Sequence, residues 1–432
     1  ANRANPALLR ARNERASAAV DRREAYSGYL PRLDLNASFG RNYVGSQRQV
    51  RVVPVLDSSS TPPTMTYDQQ EVWTPERNFA DYALGASLEQ PLFDGFQTTY
   101  TVAQARAAER AATKAVDEEA LAIAFEVTRR FFEVVRAQRN LEVLNDTVRQ
   151  SAQVVERAEA LYAAGRTGKG DVLAAKVNYG SDQIHVATQL AALAQARADL
   201  AVLLGRDADP ALQVVIPDSL SGVLPPTLTP PPTDELLALA RRSRPALLRY
   251  AELAQAAQYG VKSATAAFWP SVGVQLGYTR QSPNLSGAAG VYGPLAHQHV
   301  STAGLFVRWN LFDAGHTSAA RQRATLAQEH ALLTADEAEQ QLSAEINRAR
   351  SDLVAQDQSC RLAIANVAVA EQGVALAEDR LSKGAATQLE VRDAVFKLTQ
   401  SRLTYVSARI DLALALADLN RAVGGVLSEK LP

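Results

Sequence analysis

Two carboxylates three positions apart, Glu390 and Asp393, form the most suggestive pair in the 432-residue chain. They follow a turn at Gly384, so they share one helix face, where two acids can raise the local cation concentration. The same placement has a plainer reading as a solvated face, because the macrodipole favours acids near a helix start. A third acid, Asp171, stands just past another glycine cluster, Gly165 to Gly170. His297 and His299 could clamp a metal from one strand-like face, but two histidines make an incomplete site. The five histidines are scattered. No phosphate-binding glycine loop and no nucleophile–base pair at a recognisable motif is present, so neither an enzyme nor a cofactor is expected. The lone cysteine, Cys360, excludes a disulfide framework and a Cys-based zinc site, and fits a compartment where free thiols are a liability.

The elements that position these residues follow from composition. With 45 basic and 46 acidic residues the formal net charge is -1, and the charges alternate along the chain, which argues against nucleic acid as a partner. No run approaches the 18 or so apolar residues of a membrane-spanning helix, and Ala1 to Arg10 lack the apolar core of a signal peptide. The chain is 47% hydrophobic but only 6% aromatic. Alanine, leucine and valine dominate, as in long, closely packed helices.

Length alone suggests two or three domains, but internal repetition overrides that count. Asn5-Pro-Ala-Leu-Leu-Arg10 returns as Arg244-Pro-Ala-Leu-Leu-Arg249, and Tyr29-Leu-Pro31 as Phe268-Trp-Pro270, at a shift of about 239. Pro91-Leu-Phe-Asp-Gly95 returns as Asn310-Leu-Phe-Asp-Ala314, Gly165 as Gly384, and Gly205 as Gly424, at a shift of about 219. The first copy therefore carries an insertion between Pro31 and Pro91. The predicted organisation is a first repeat over 1–205, a Pro-rich linker or strap over 206–243, a second repeat over 244–425 and a tail over 426–432.

Gln97 to Ala163 has neither proline nor glycine, and its large apolar residues recur at three-four spacing, which predicts a helix of roughly 100 Å. Thr317 to Lys383 repeats it, with Ile346, Leu353, Cys360 and Ile364 on its stripe. Such lengths imply coiled-coil pairing. Glycine turns then send a second helix back to Leu204 and to Val423, giving two helical hairpins, about 97–204 and about 317–423. In about 32–92 and about 271–312 the period is two. Leu33, Leu35, Ala37 and Phe39 alternate with polar residues, as do Tyr82, Leu84, Ala86 and Leu88. Val272, Val274, Leu276 and Tyr278, and Ala303, Leu305, Val307 and Trp309, repeat the pattern. Each strand has about the length a tilted strand needs to cross a bilayer, and Phe39, Tyr43, Tyr82, Tyr278 and Trp309 suit interfacial belts. A half-buried soluble sheet is the alternative for any one strand. Nothing else apolar in the sequence is left to cover four of them.

The doubled Pro-Ala-Leu-Leu starts, the Leu-Pro31 and Trp-Pro270 openings, the Leu-Phe-Asp exits, and Leu161-Tyr-Ala-Ala-Gly165 followed by Asp171-Val-Leu173 together resemble the TolC family of outer-membrane export ducts, over nearly the whole chain. The resemblance implies a mainly α chain with a membrane β-barrel. A homotrimer would carry a long α-helical coiled-coil tunnel, and four strands per chain would contribute to a 12-stranded barrel in the outer membrane of a Gram-negative bacterium, with the helices extending into the periplasm. Its implied role is export through a tripartite efflux pump or type I secretion system. The implied partners are outer-membrane lipid, a periplasmic adaptor, and an ABC or proton-driven inner-membrane transporter. A soluble coiled-coil scaffold without a pore is the alternative. Because relatives begin with a signal peptide ahead of this motif, the chain reads as a processed or trimmed form.

The resemblance also implies that Glu390 and Asp393 ring the periplasmic entrance, and that the hairpin tips (Gly165, Arg166 and Thr167; Leu381, Gly384 and Ala385) dock the adaptor. Asp171 matches a position that latches the entrance through a tyrosine. Here the matching positions hold Leu381 in place of that tyrosine and Ala386 in place of a latch arginine, so Arg380, Lys383 and Arg392 are the substitute partners to consider for Asp171. The first loop, Val44 to Asn78, reads as a surface receptor or a lid.

Overall fold

The structure is a computed structural model that describes residues 5–207, 209, 212–215, 230–288, 290–293 and 299–425. Pro225, Pro226, His297 and the tail 426–432 lie outside the described residues. The first repeat runs α1 (Pro6–Ser27), β1 (Arg32–Val44), β2 (Gln47–Asp57), β3 (Thr64–Thr74), β4 (Arg77–Phe93), α2 (Gln97–Ala163) and α3 (Lys169–Leu203). After α4 (Thr233–Ser243), the second runs α5 (Pro245–Ala266), β5 (Ser271–Ser282), β6 (His299–Arg308), α6 (His316–Ser382) and α7 (Gln388–Ala422).

The duplication is clearest at the joints. Asp94 accepts a 2.7 Å hydrogen bond from the Thr98 amide and Asp313 a 2.8 Å bond from the Thr317 amide, so each Leu-Phe-Asp exit caps the first turn of a long helix. The hydroxyl and amide of Thr317 hold the Asp313 carboxyl below the usual carboxylate range. Two successive left-handed residues follow each aspartate: Gly95 and Phe96, both at φ 68°, and Ala314 and Gly315, at φ 52° and 87°. At the far ends, Gly165 (φ 70°) and Gly384 (φ 73°) close α2 and α6 identically. Arg166 donates to the Leu161 carbonyl and Ala385 to the Arg380 carbonyl, each at 2.8 Å. Only a residue tolerant of positive φ fits these caps.

The chain divides into two compact units, and each repeat contributes to both: Ala1–Asp21, Gln104–Gln258 and Leu326–Pro432 form one, Arg22–Ala103 and Tyr259–Thr325 the other. The first is helical. Its main core holds Ile346, Leu353 and Cys360 of α6, seven residues apart, against Leu412 and Leu419 of α7. The predicted stripe then drifts, and Ile364 is exposed while Ala363 is buried. A straight helix moves a seven-residue repeat steadily around its surface, which accounts for such drift.

One expectation is corrected in this unit. Residues 233–243, assigned to the linker, form α4, whose Leu236 and Ala240 are fully buried in the α6–α7 core. The proline run ends at Pro232, which itself serves as the N-cap, and Asp234 and Glu235 then open a helix that closes on Arg241 and Arg242. In the same unit α6 contains an 18-residue window of mean hydropathy 1.3 with at most two charges, enough by length and composition to cross a membrane. Alanine and valine raise the average without a long uninterrupted apolar run. The window belongs to a 67-residue helix with charges at both ends, and coiled-coil packing explains its composition equally well.

The second unit carries the strands. β1, β4, β5 and β6 form one antiparallel sheet in that order, leaving β1 and β6 as its edges. The long first loop is itself ordered, as β2 and β3 pair in a separate two-stranded sheet. The sequence predicts a loop there, not strands. Pro54 and several charged residues interrupt the alternation that would have revealed them.

Candidate functional site

At the helical tips, Thr387 caps α7. Its hydroxyl accepts from the Glu390 amide at 3.3 Å while the Glu390 carboxylate accepts from the Thr387 amide at 3.2 Å, a reciprocal capping box. Arg380 approaches the same carboxylate at 3.6 Å. Asp393 is bound to Lys397 one turn on, at 2.6 Å. Both acids are exposed, and each of the two has a cation beside it.

Asp171 occupies the position in α3 that Glu390 occupies in α7, and accepts a hydrogen bond from the Thr167 hydroxyl of its own turn. The substitute partners considered for it are engaged elsewhere in the chain: Arg380 with Glu390, Lys383 with Asp379 at 2.7 Å, and Arg392 with Asp182. The last pairing was not anticipated. Arg392 donates two 2.9 Å hydrogen bonds to the Asp182 carboxylate, which is buried, and joins α7 to α3. Asp171, Leu381 and Arg392 line one cavity of about 320 Å³ among α2, α3, α6 and α7. Asp171 and Leu381 thus border the same cavity, but Leu381 offers no hydrogen-bond donor to replace a tyrosine. Gly165, Arg166, Gly384 and Ala385 are exposed, while Thr167 and Leu381 are half-buried.

In the strand unit the register separates two faces. The pairs Leu33–Leu88, Leu35–Ala86, Ala37–Leu84 and Phe39–Tyr82 put apolar residues on one face, continued by Leu276 and Tyr278 of β5 and by Leu305 and Val307 of β6. Leu35, Phe39, Leu305 and Val307 are each about two-thirds or more exposed. The opposite face holds Asp34, Asn36, Ser38, Asp81, Gln275 and Gln281, with Gln281 donating to Asp81 at 2.9 Å. His299 stacks on Tyr278, 5.8 Å between ring centroids, on the apolar face. A sheet apolar on one side, polar on the other and unpaired at both edges matches one sector of a membrane barrel.

A family model described as "Outer membrane efflux protein" matches residues 1–206 and 236–425. The chain belongs to the outer membrane efflux protein family. Outer membrane efflux protein BepC of Brucella suis biovar 1 (strain 1330) is 25% identical over 414 residues, 92% of this chain and 84% of that protein. Crystal structures of CusC match with a TM-score of 0.77 at 19% identity, covering 98% of this chain and 90% of that one. The outer membrane protein VceC of Vibrio cholerae matches with a TM-score of 0.74 at 22% identity, covering 98% and 94%. The two structural likenesses carry the fold, and with it the expected mainly α, TolC-like architecture. As a member of the efflux family the protein is an outer-membrane efflux channel of a Gram-negative bacterium, and its family consists of channels, not enzymes. The soluble scaffold reading is set aside.

Proposed function

We infer that three copies of the chain assemble into one duct, each giving four strands to a shared 12-stranded barrel. The observation that carries this reading is the sheet's pair of open edges, β1 and β6, beside an apolar face. In lipid an open edge leaves backbone groups without hydrogen-bond partners, and four strands are too few to close on themselves. Exposed apolar residues on the helices support the same assembly. Leu362, Val369 and Leu376 follow one another at seven-residue spacing on α6, and Leu173, Val177 and Ile184 recur on α3, all more than half exposed. These seams have the pattern of coiled-coil walls awaiting neighbouring copies.

In this reading the duct passes substrate from a tripartite efflux pump or type I secretion system. A periplasmic adaptor docks on the tips at Gly165, Arg166, Thr167, Leu381, Gly384 and Ala385, and an ABC or proton-driven transporter feeds it from the inner membrane. Glu390 and Asp393 of three copies ring the entrance, their field reduced by Arg380 and Lys397, with Asp171 beside them. The repeats 1–205 and 244–425, joined by the Pro-rich segment 206–232 and by α4, and followed by the tail 426–432, are the units of this duplicated wall.

The deciding experiment is mass measurement by multi-angle light scattering in detergent, followed by single-channel recording in planar bilayers. A trimer with stepwise conductance is expected. A monomer that gives no steps would defeat the assembly.

A further inference from the structure

The β2–β3 hairpin keeps the register of the membrane ladder beneath it. Arg32 pairs with Glu89 and Val44 with Arg77 in β1–β4; Gln47 pairs with Thr74 and Asp57 with Thr64 in β2–β3, so paired residue numbers sum to 121 throughout. Two residues on each side, Gly45–Ser46 and Pro75–Glu76, separate the two ladders. The Tyr43 hydroxyl donates to the Glu76 carboxylate at 2.6 Å, so side-chain facing persists to the edge of this break. Because the break is equal on both strands, alternation carries through it without a change of phase.

With phase preserved, the apolar character changes sides. In β1 the apolar residues are odd-numbered (Leu33, Leu35, Phe39, Tyr43) and the even-numbered Asp34, Asn36 and Ser38 face the lumen of the barrel. In β2 the apolar residues are mainly even-numbered: Val50, Val52, Pro54 and Leu56, with Met65, Tyr67 and Trp73 on the same face of β3; this face also carries Gln69 and, toward the barrel, an ion pair between Arg48 and Glu71. Val52 is 56% exposed, Met65 62% and Tyr67 75%. The odd-numbered face of β2 carries Gln47, Gln49 and Arg51 opposite Thr74, Val72 and Gln70, and then Val53 and Val55 opposite Asp68 and Thr66, so polar residues predominate. The hairpin therefore shows a mainly polar side in line with the lipid-facing side of the barrel and a mainly apolar side in line with its lumen. It leaves the ladder at the end opposite to α1 and α2, which is the outer end of the barrel.

We propose that the apolar face of β2–β3 docks against the same face of the other two copies, closing the outer mouth of the channel around the three-fold axis. The occupant is a second copy of this chain. Lumen-side faces of three copies converge on one axis, whereas lipid would meet the mainly polar side. The inference rests on the trimeric reading above. It adds a surface that the barrel alone does not require.

The test uses the full chain with Cys360→Ala, so that no native thiol remains. Trimer mass is confirmed first, which separates failure of the assembly from failure of the lid. Val52→Cys should then cross-link between copies with a short bis-maleimide, at least fivefold more than Gln49→Cys on the opposite face. Val50→Asp with Val52→Asp should raise single-channel conductance at least twofold. Equal cross-linking at the two positions, or unchanged conductance in an intact trimer, overturns the proposal. So does quenching of a bimane label on Val52→Cys by brominated phosphatidylcholine, because that would assign the face to lipid.

Discussion

Arg392 of α7 grips Asp182 of α3 through two parallel hydrogen bonds of 2.9 Å, tying the second repeat's returning helix to the first's. The Asp182 side chain is 7% exposed and that of Arg392 26%, so removing one partner strands the other in poor solvent. Asp182→Asn should therefore cost about 2 kcal/mol, toward the low side of buried-pair losses because the arginine is partly wet. The double change Asp182→Leu with Arg392→Leu should recover much of that loss. Thermal unfolding in detergent checks both, and a double variant no better than the single would mean that the pair is not the source of the stability.

At the tips the charges come in couples, which sets the sign of a conductance experiment. Asp393→Ala leaves Lys397 unpaired and should lower cation preference, while Lys397→Ala leaves Asp393 bare and should raise both cation preference and divalent-ion block. Glu390→Ala also removes the capping box and should destabilise the start of α7 by about 1 kcal/mol. Reversal potentials across a potassium chloride gradient distinguish these outcomes. Identical potentials in all three variants would remove this face from the conduction path.

Arg244 is where the second Pro-Ala-Leu-Leu motif departs most from the first. Asn5 caps α1 through its own side chain, at 2.9 Å from the Ala7 amide, whereas Arg244, with 5% of its side chain exposed, reaches Glu118 at 2.9 Å and the Arg421 carbonyl. Arg244→Ala leaves Glu118 without that partner and opens a void, so a loss of about 3 kcal/mol is expected. Arg244→Lys should recover only part, since an ammonium cannot reproduce the guanidinium fork. Chemical denaturation of the three forms side by side gives the ranking.

The repeats, the long helices and the two-faced strands were legible because each rests on a local pattern: glycine stops, three-four spacing, or period two. The Thr387–Glu390 capping box is legible as well, in its three-residue spacing. Three features were not. The Asp182–Arg392 pair joins residues 210 positions apart, and neither stands in a motif. Burial of α4 depends on α6 and α7 passing beneath it. The β2–β3 ladder depends on its register with β1–β4, which no single strand displays.

Gly95 tests the strand-to-helix joint. A Cβ there would lie 2.6 Å from the Ala266 carbonyl oxygen and 2.8 Å from the Trp269 Cβ, at φ 68°. Gly95→Ala should lose about 1–2 kcal/mol from the left-handed backbone alone, and more from the clash. Ala314 already occupies the equivalent position in the second copy, so Ala314→Gly should be tolerated. Assembly yield in membranes should fall for the first variant and not for the second.

Cys360 reports on the α6 seam. It is fully buried between Leu353 and Ala363, and burial pushes its thiol above the ordinary range, with Arg409 opposing the shift. A raised pKa means that the neutral thiol persists to higher pH in the folded chain, while the unfolded chain begins to ionise near the ordinary cysteine value of about 8.5. Between those two values the unfolded state carries the thiolate and the folded state does not. Stability contributed by this group is therefore complete below the unfolded value and declines as pH rises through the folded one. Labelling by a thiol-specific disulfide reagent at pH 8 should be at least roughly 100-fold slower in the folded protein than in guanidinium, because it must await opening of the seam. Equally fast labelling in both states would show that α6 and α7 do not pack at this level.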